Sequence, residues 1–228
     1  MTEVEWVSEG ATYEIVEAEE PRLLARNLAS AAHLLAGATA TFFLGFVFAY
    51  FYLRSVNNSG LWRPKHVDPS MTLGTLSTAA WVAGAAVLWL GVLDRRRERR
   101  AQWRVKGAVA LALGIVAIVL QVVAWFTEGF GPADGAYASV YLGWTAFIVL
   151  FGVGAIFWLE TTLAPAIRYR NTQTASPEPG HASGDPYRSA HDIEDPLALV
   201  PPSLEAVGFF WIYFAALVVV AWVILYLA

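Results

Sequence analysis

The chain has 228 residues, 57% of them hydrophobic and 15% charged, with a formal net charge of −4 and no cysteine. That composition excludes an ordinary soluble domain, which carries more charge and shorter apolar runs. It also excludes disulfides, thiolate metal sites and cysteine nucleophiles, and no basic face for nucleic acid is visible.

The first twenty residues contain Glu3, Glu5, Glu9, Glu14, Glu17, Glu19 and Glu20, with no Lys or Arg. A secretory signal needs a basic start and a short apolar core, so residues 1–26 read instead as a solvated acidic segment. The first apolar run, about 28–53, is long enough to cross a bilayer. Within it Gly37, Thr41, Gly45 and Ala49 recur every fourth residue, a spacing that lets another helix approach closely. Tyr50, Tyr52 and Arg54 read as an interfacial anchor. A polar loop to Met71 precedes the second span, about 73–93, where Ala79 with Ala83 and Ala80 with Gly84 repeat the small-residue spacing. An arginine run from Arg95 to Arg100 follows, with Arg104 and Lys106.

Spans three and four, about 105–126 and 137–163, form a hairpin. Gln121, Trp125 and Glu128 close the first arm, and Gly129, Gly131, Pro132, Asp134 and Gly135 supply turn chemistry. Asp134 is expected to cap the fourth helix. The polar stretch 164–204 holds seven prolines, and its middle is too polar to bury a core and is expected to be mobile. The fifth span, about 205–228, starts after Ser203, an expected N-cap, with Glu205 in its first turn.

The reading is an all-α, five-helix membrane domain over 27–228. Loop 94–106 holds seven basic residues, the N-terminal segment two and the 164–204 stretch three, which makes twelve on one side against three on the other. The positive-inside rule then predicts a cytoplasmic N-terminus and an outside C-terminus. His33 is the one ionisable side chain well inside a span, four residues before Gly37, and is expected to make an interhelical hydrogen bond. His66, His181 and His191 fall in loops, so no haem or metal site is expected in this chain. Glu128, Glu160 and Glu205 are placed at helix ends.

Four stretches, in order, resemble subunit III of the haem–copper terminal oxidases, the cytochrome c oxidase family. Phe42-Phe43, Gly45-Phe46 and Ala49-Tyr50-Phe51 are similar to the aromatic end of that family's glutamate-containing helix. The arginine-rich loop before span three fits. Leu120-Gln121 followed by Asp134-Gly135-Ala136-Tyr137-Ala138-Ser139 resembles the family's Leu-Gln…Asp-Gly-x-Tyr-x-Ser element, and Leu204-Glu205-Ala206…Trp211 resembles the start of its last helix. Family positions occupied by ionisable groups fall here on Thr39, Ala124, Ile148, Phe151, Ile212 and Ala215. Long members have seven spans, and the five here correspond to the last five.

The resemblance implies a non-catalytic structural subunit in the prokaryotic plasma membrane. It would brace the haem–copper subunit I, alongside subunit II, of a proton-translocating oxidase in aerobic respiratory electron transport. Haem and copper would belong to those partners. Bound phospholipid is expected, with Arg168 and Arg170 near the position of a lipid-contacting arginine. A second reading is the homologous accessory subunit of a nitric oxide reductase. A third, a small-molecule transporter, lacks the intramembrane polar groups and broken helices it would need.

Overall fold

The computed structural model describes residues 21–56, 62–97, 100–173 and 200–228. The acidic segment 1–20 and the Pro-rich stretch 174–199, with His181 and His191, lie outside the described residues. Five long helices account for nearly everything described: α1 (Pro21–Ser55), α2 (Met71–Arg96), α3 (Arg100–Thr127), α4 (Ala136–Gln173) and α5 (Val200–Trp222). A π-helical turn, Val223–Leu227, continues α5. No strand occurs among the described residues. All five helices are long and apolar enough to cross a membrane, each covering more than the ~30 Å of a hydrocarbon core at ~1.5 Å per residue.

The helices outrun the apolar spans. α1 starts at Pro21, inside the stretch read as an acidic tail, with Pro at the one helical position where a missing N–H costs nothing. α4 continues through Pro165 to Gln173, so Glu160, expected at a helix end, lies exposed within a helix. α5 starts before Ser203, which is therefore no N-cap; its hydroxyl meets Thr162 Oγ1 at 2.8 Å and ties α5 to α4.

α2 and α3 pair most extensively, and α5 is the shared element, packed on α1, α2 and α4. The buried face of α3, shared among α2, α4 and α5, is Trp103, Gly107, Ala110, Gly114, Ala117, Gln121 and Ala124, alternating steps of four and three. That is the 3.5-residue repeat of helices wrapped around one another. Its small members bring backbones together: a Cβ on Gly84 would sit 3.5 Å from the Ala110 carbonyl oxygen, and Ser77 Oγ donates to the Ala117 carbonyl at 2.9 Å. Lipid offers no hydrophobic drive for helix pairing, so such packing, with interhelical hydrogen bonds averaging ~0.6 kcal/mol, must hold the bundle.

Aromatic side chains fill the centre. Trp81, Trp144, Trp211, Phe210 and Phe214 are fully buried. Trp81 lies 5.4 Å from Trp211 and edge-on to Phe214 at 5.1 Å, between centroids. Glycines make room for these rings. A Cβ on Gly152 would come within 2.6 Å of Trp81, and one on Gly114 within 2.9 Å of Trp211.

The small-residue stripe of α1 does not serve this packing. Gly37, Thr41 and Gly45 are exposed, Ala49 is half-buried, and a Cβ on either glycine would meet nothing within 4 Å. α1 instead buries Ala32, Ala36, Thr39, Phe43 and Tyr50. The large aromatics set its rotation, because Phe43 and Phe46 pack on Trp144. In α2 the Ala80–Gly84 pair is buried and the Ala79–Ala83 pair is exposed.

Candidate functional site

At the hairpin end of the bundle, polar groups from four helices converge on Glu128. Its Oε1 accepts from the Tyr141 hydroxyl at 2.6 Å and from the Ser70 backbone N–H at 3.3 Å. Ser70 in turn caps α2, its side chain accepting from Leu73 N–H. The Tyr141 and Tyr226 hydroxyls are 3.1 Å apart, and the Tyr137 hydroxyl donates to the Leu225 carbonyl at 2.7 Å. Glu128 Oε2 is buried without a hydrogen-bond partner. Burial raises the Glu128 carboxyl above the ordinary glutamate range, and the hydrogen bonds from Tyr141 and Ser70 offset part of that rise.

The connection from α3 to α4 depends on two glycines, Gly129 at φ +68° and Gly135 at φ +150°, conformations that L side chains rarely adopt. Between them a 3₁₀ turn, Pro132–Asp134, changes the expected role of Asp134. Its carboxylate accepts from Gly131 N–H at 2.6 Å and lies 3.9 Å from His66 Nε2, so it closes the turn rather than capping α4. The extended Gly135 that follows carries the chain away before α4 begins. Ser139 supplies the α4 contact instead, its hydroxyl donating to the Pro132 carbonyl.

Tyr137 ties several parts of this end together. It is fully buried, its N–H donates to the Trp62 carbonyl at 3.0 Å, and the Arg63 guanidinium lies 4.7 Å over its ring. Asp134, Gly135, Tyr137 and Ser139 are thus brought together as one unit. Gln121 lies deeper in α3, buried, with Nε2 unpartnered and facing a narrow cavity shared with Ser77 and Thr145. Thr145 accepts from Trp125 Nε1 at 2.9 Å.

Glu205 and Trp211 belong elsewhere. Glu205 pairs with Arg96 at 2.9 Å at the arginine end, and Trp211 lies in the aromatic centre. Among the described residues His33 makes no hydrogen bond across helices. Its Nδ1 meets the Ala29 carbonyl of its own helix at 2.6 Å, and the ring stacks on Phe209 at 4.5 Å. Thr39 is fully buried, its hydroxyl donating to Leu35 O at 2.7 Å. Arg168 and Arg170 lie in the last turns of α4, and their side chains are outside the described residues. No group of three potential metal ligands occurs among the described residues.

The fold and this clasp define a multi-pass, five-helix membrane protein whose polar chemistry sits at its ends. The chain is 25% identical over 139 residues to cytochrome c oxidase subunit 3 of Tachyglossus aculeatus aculeatus, a match covering 58% of this chain. It spans about half the length of that curated relative, 52%. No family model matches the chain.

Proposed function

We propose that the chain is an accessory, non-catalytic subunit of a haem–copper oxidase, bracing the catalytic subunit in the membrane. The similarity to cytochrome c oxidase subunit 3 carries this reading. The fold supports it in two ways. The family's glutamate position is Thr39, a buried hydroxyl satisfied within its own helix, which is no proton carrier. The exposed face of α1 at Gly37, Thr41 and Gly45 leaves room for a foreign helix to approach its backbone. Haem and copper are then the partner's, subunits I and II, and this chain supplies surface and lipid contacts. The membrane is the prokaryotic plasma membrane, with the N-terminus inside. Arg168 and Arg170 hold a phospholipid phosphate at the interface. Equal phospholipid retention by the Arg168→Ala, Arg170→Ala double variant and the parent would remove that lipid contact.

The test is a mild-detergent purification from native membranes with a visible spectrum and mass spectrometry of partners. Co-purified haem with a copper-containing oxidase subunit is the expected result. A nitric oxide reductase in its place would select the alternative reading, and isolation of the chain alone would reject both.

A further inference from the structure

The geometry points to a site for one anionic glycerophospholipid in the seam between α2 and α5, with an acyl chain in an apolar groove and the phosphate on Arg95. The groove has a volume of about 690 Å³ and is lined by Ala85, Ala86, Trp89, Phe209, Ile212 and Tyr213. Its wall is almost wholly apolar, which suits a hydrocarbon chain and offers nothing to a polar solute. It forms because two consecutive alanines face bulky aromatics: small side chains on α2 leave the space, and Trp89, Phe209 and Tyr213 wall it. His33 stacks on Phe209 and braces that wall from α1.

One helical turn further along both helices lies a second cavity of about 200 Å³, bordered by Val92, Arg95, Arg96, Leu204 and Glu205. Val92 follows Trp89 by three residues and Glu205 precedes Phe209 by four, so the two spaces are successive parts of one seam. The eleven steps from Ala85 to Arg96 rise roughly 16 Å, close to the ~15 Å half-thickness of a hydrocarbon core. The seam therefore runs from the water interface to about mid-membrane, the depth one leaflet's lipid occupies.

The charges at its mouth select the headgroup. Arg96 is already paired with Glu205, and Lys106 is paired with the buried Asp94. Arg95 is half-buried, borders the cavity and makes no hydrogen bond or ion pair among the described residues. The two arginines and one glutamate at the mouth leave a net charge of +1. A lipid of net charge −1, such as a phosphatidylglycerol, neutralises it through charge-assisted hydrogen bonds from a guanidinium to phosphate oxygens. A zwitterionic lipid leaves it unbalanced. The site uses only this chain's own seam, so it stands whether or not an oxidase is the partner.

The experiment equilibrates the full purified chain with vesicles of equal phosphatidylglycerol and phosphatidylcholine, then reads retained lipid by native mass spectrometry from mild detergent. The expected result is one retained phosphatidylglycerol in preference to phosphatidylcholine. Arg95→Gln should lower its retention roughly tenfold, the effect of losing one charge-assisted contact, and Arg95→Lys should recover part of it. Ala86→Phe, at an exposed position that fills the groove without entering the core, should lower retention of the same lipid. Arg97→Gln, exposed at the same interface but away from the cavity, should leave retention at the parent level. Equal retention of the two lipids would overturn the proposal. So would an Arg97→Gln loss matching that of Arg95→Gln, which would mean diffuse attraction to the arginine run, or an unchanged Ala86→Phe. Elution volume and helical content of each variant separate a lost site from a lost fold.

Discussion

The Tyr141 hydroxyl donates to Glu128 Oε1 across 2.6 Å, joining the end of the α3 arm to the second turn of α4. Ser70, at the start of α2, donates to the same oxygen, and Tyr226 after α5 meets the Tyr141 hydroxyl. One carboxyl group therefore holds four helices at the hairpin end. A change in its protonation state should be felt by the whole bundle.

Burial raises the Glu128 carboxyl in the folded chain above its unfolded value, about 4.3. A raised folded-state value means that the protonated form fits the fold better. Its stabilisation is complete below the unfolded value and is lost as pH rises through the folded one. Thermal unfolding in detergent should therefore show the parent losing stability across that rise, with Glu128→Gln flatter over the same window. Glu128→Ala should be less stable than either by about 1–3 kcal/mol, because the Tyr141 hydroxyl and Ser70 N–H lose their acceptor. A parent that gains stability through that window relative to Glu128→Gln would contradict the burial argument.

Glycines at different places in this chain should respond oppositely to alanine. Gly135 adopts φ +150° with ψ 167°, a region essentially closed to L side chains. Gly135→Ala should cost roughly 1–3 kcal/mol. Gly37 lies in the middle of α1 with open space where a Cβ would go. Gly37→Ala should be neutral or stabilising by up to about 1 kcal/mol in the isolated chain, through helix propensity. Unfolding of both variants under identical detergent conditions decides; equal effects would mean that Gly135 does not hold that conformation.

Five spans were legible in the sequence because an apolar run of about twenty residues matches the thickness of a bilayer and outlasts the apolar runs of soluble domains. The direction in which each helix faces was not. Along α1 the four-residue stripe of Gly37, Thr41 and Gly45 competes with an aromatic stripe, and the rings of Phe43 and Phe46, packed on Trp144, win the interior. The alternation of steps of four and three from Trp103 to Ala124 is visible in the sequence, but smallness alone does not mark a seam in a helix rich in alanine and glycine. In the candidate site, Asp134, Gly135, Tyr137 and Ser139 were legible as a unit, since neighbours in sequence stay neighbours across a tight turn. Glu128 was legible only as a helix end. Its partner Ser70 is 58 residues away, Tyr226 is 85 residues from the Tyr141 hydroxyl it meets, and no local pattern reports such pairings. Asp134 has the chemistry of a helix cap, but a 3₁₀ turn and an extended glycine intervene before α4 and turn its carboxylate to another task.

The topology can be tested directly. Twelve of the fifteen basic residues fall on the side of the N-terminus in the five-span reading, and the positive-inside rule predicts that side to be cytoplasmic. The native chain has no cysteine, so single cysteines introduced by Glu3→Cys and Ala133→Cys report without background. Position 133 should react with an impermeant maleimide in intact cells, and position 3 only after permeabilisation. The reverse pattern would invert the orientation.

The last prediction separates packing within the chain from packing against a partner, and it centres on Gly45. A Cβ there meets nothing within 4 Å, and the position is exposed along with Gly37 and Thr41. The Cβ of a leucine at 45 therefore meets no described atom of this chain, and Gly45→Leu should unfold at or above the parent temperature when purified alone. A helix of another subunit approaching the α1 backbone would meet that leucine at once, since close approach in membranes depends on small residues at the contact. In the oxidase complex proposed above, Gly45→Leu should weaken retention of this chain, shortening the enzyme's active lifetime while leaving the haem spectrum and the first turnovers intact. Gly152→Leu is the contrasting variant: its Cβ would fall 2.6 Å from the buried ring of Trp81, and overpacking of that kind costs about 1–3 kcal/mol. It should destabilise the isolated chain as well as the complex. Thermal unfolding of each variant alone, set beside co-purification of the complex and its activity decay, distinguishes the two faces. A Gly45→Leu chain that is stable alone and fully retained in the complex would mean that this face of α1 meets lipid and that the partner docks elsewhere.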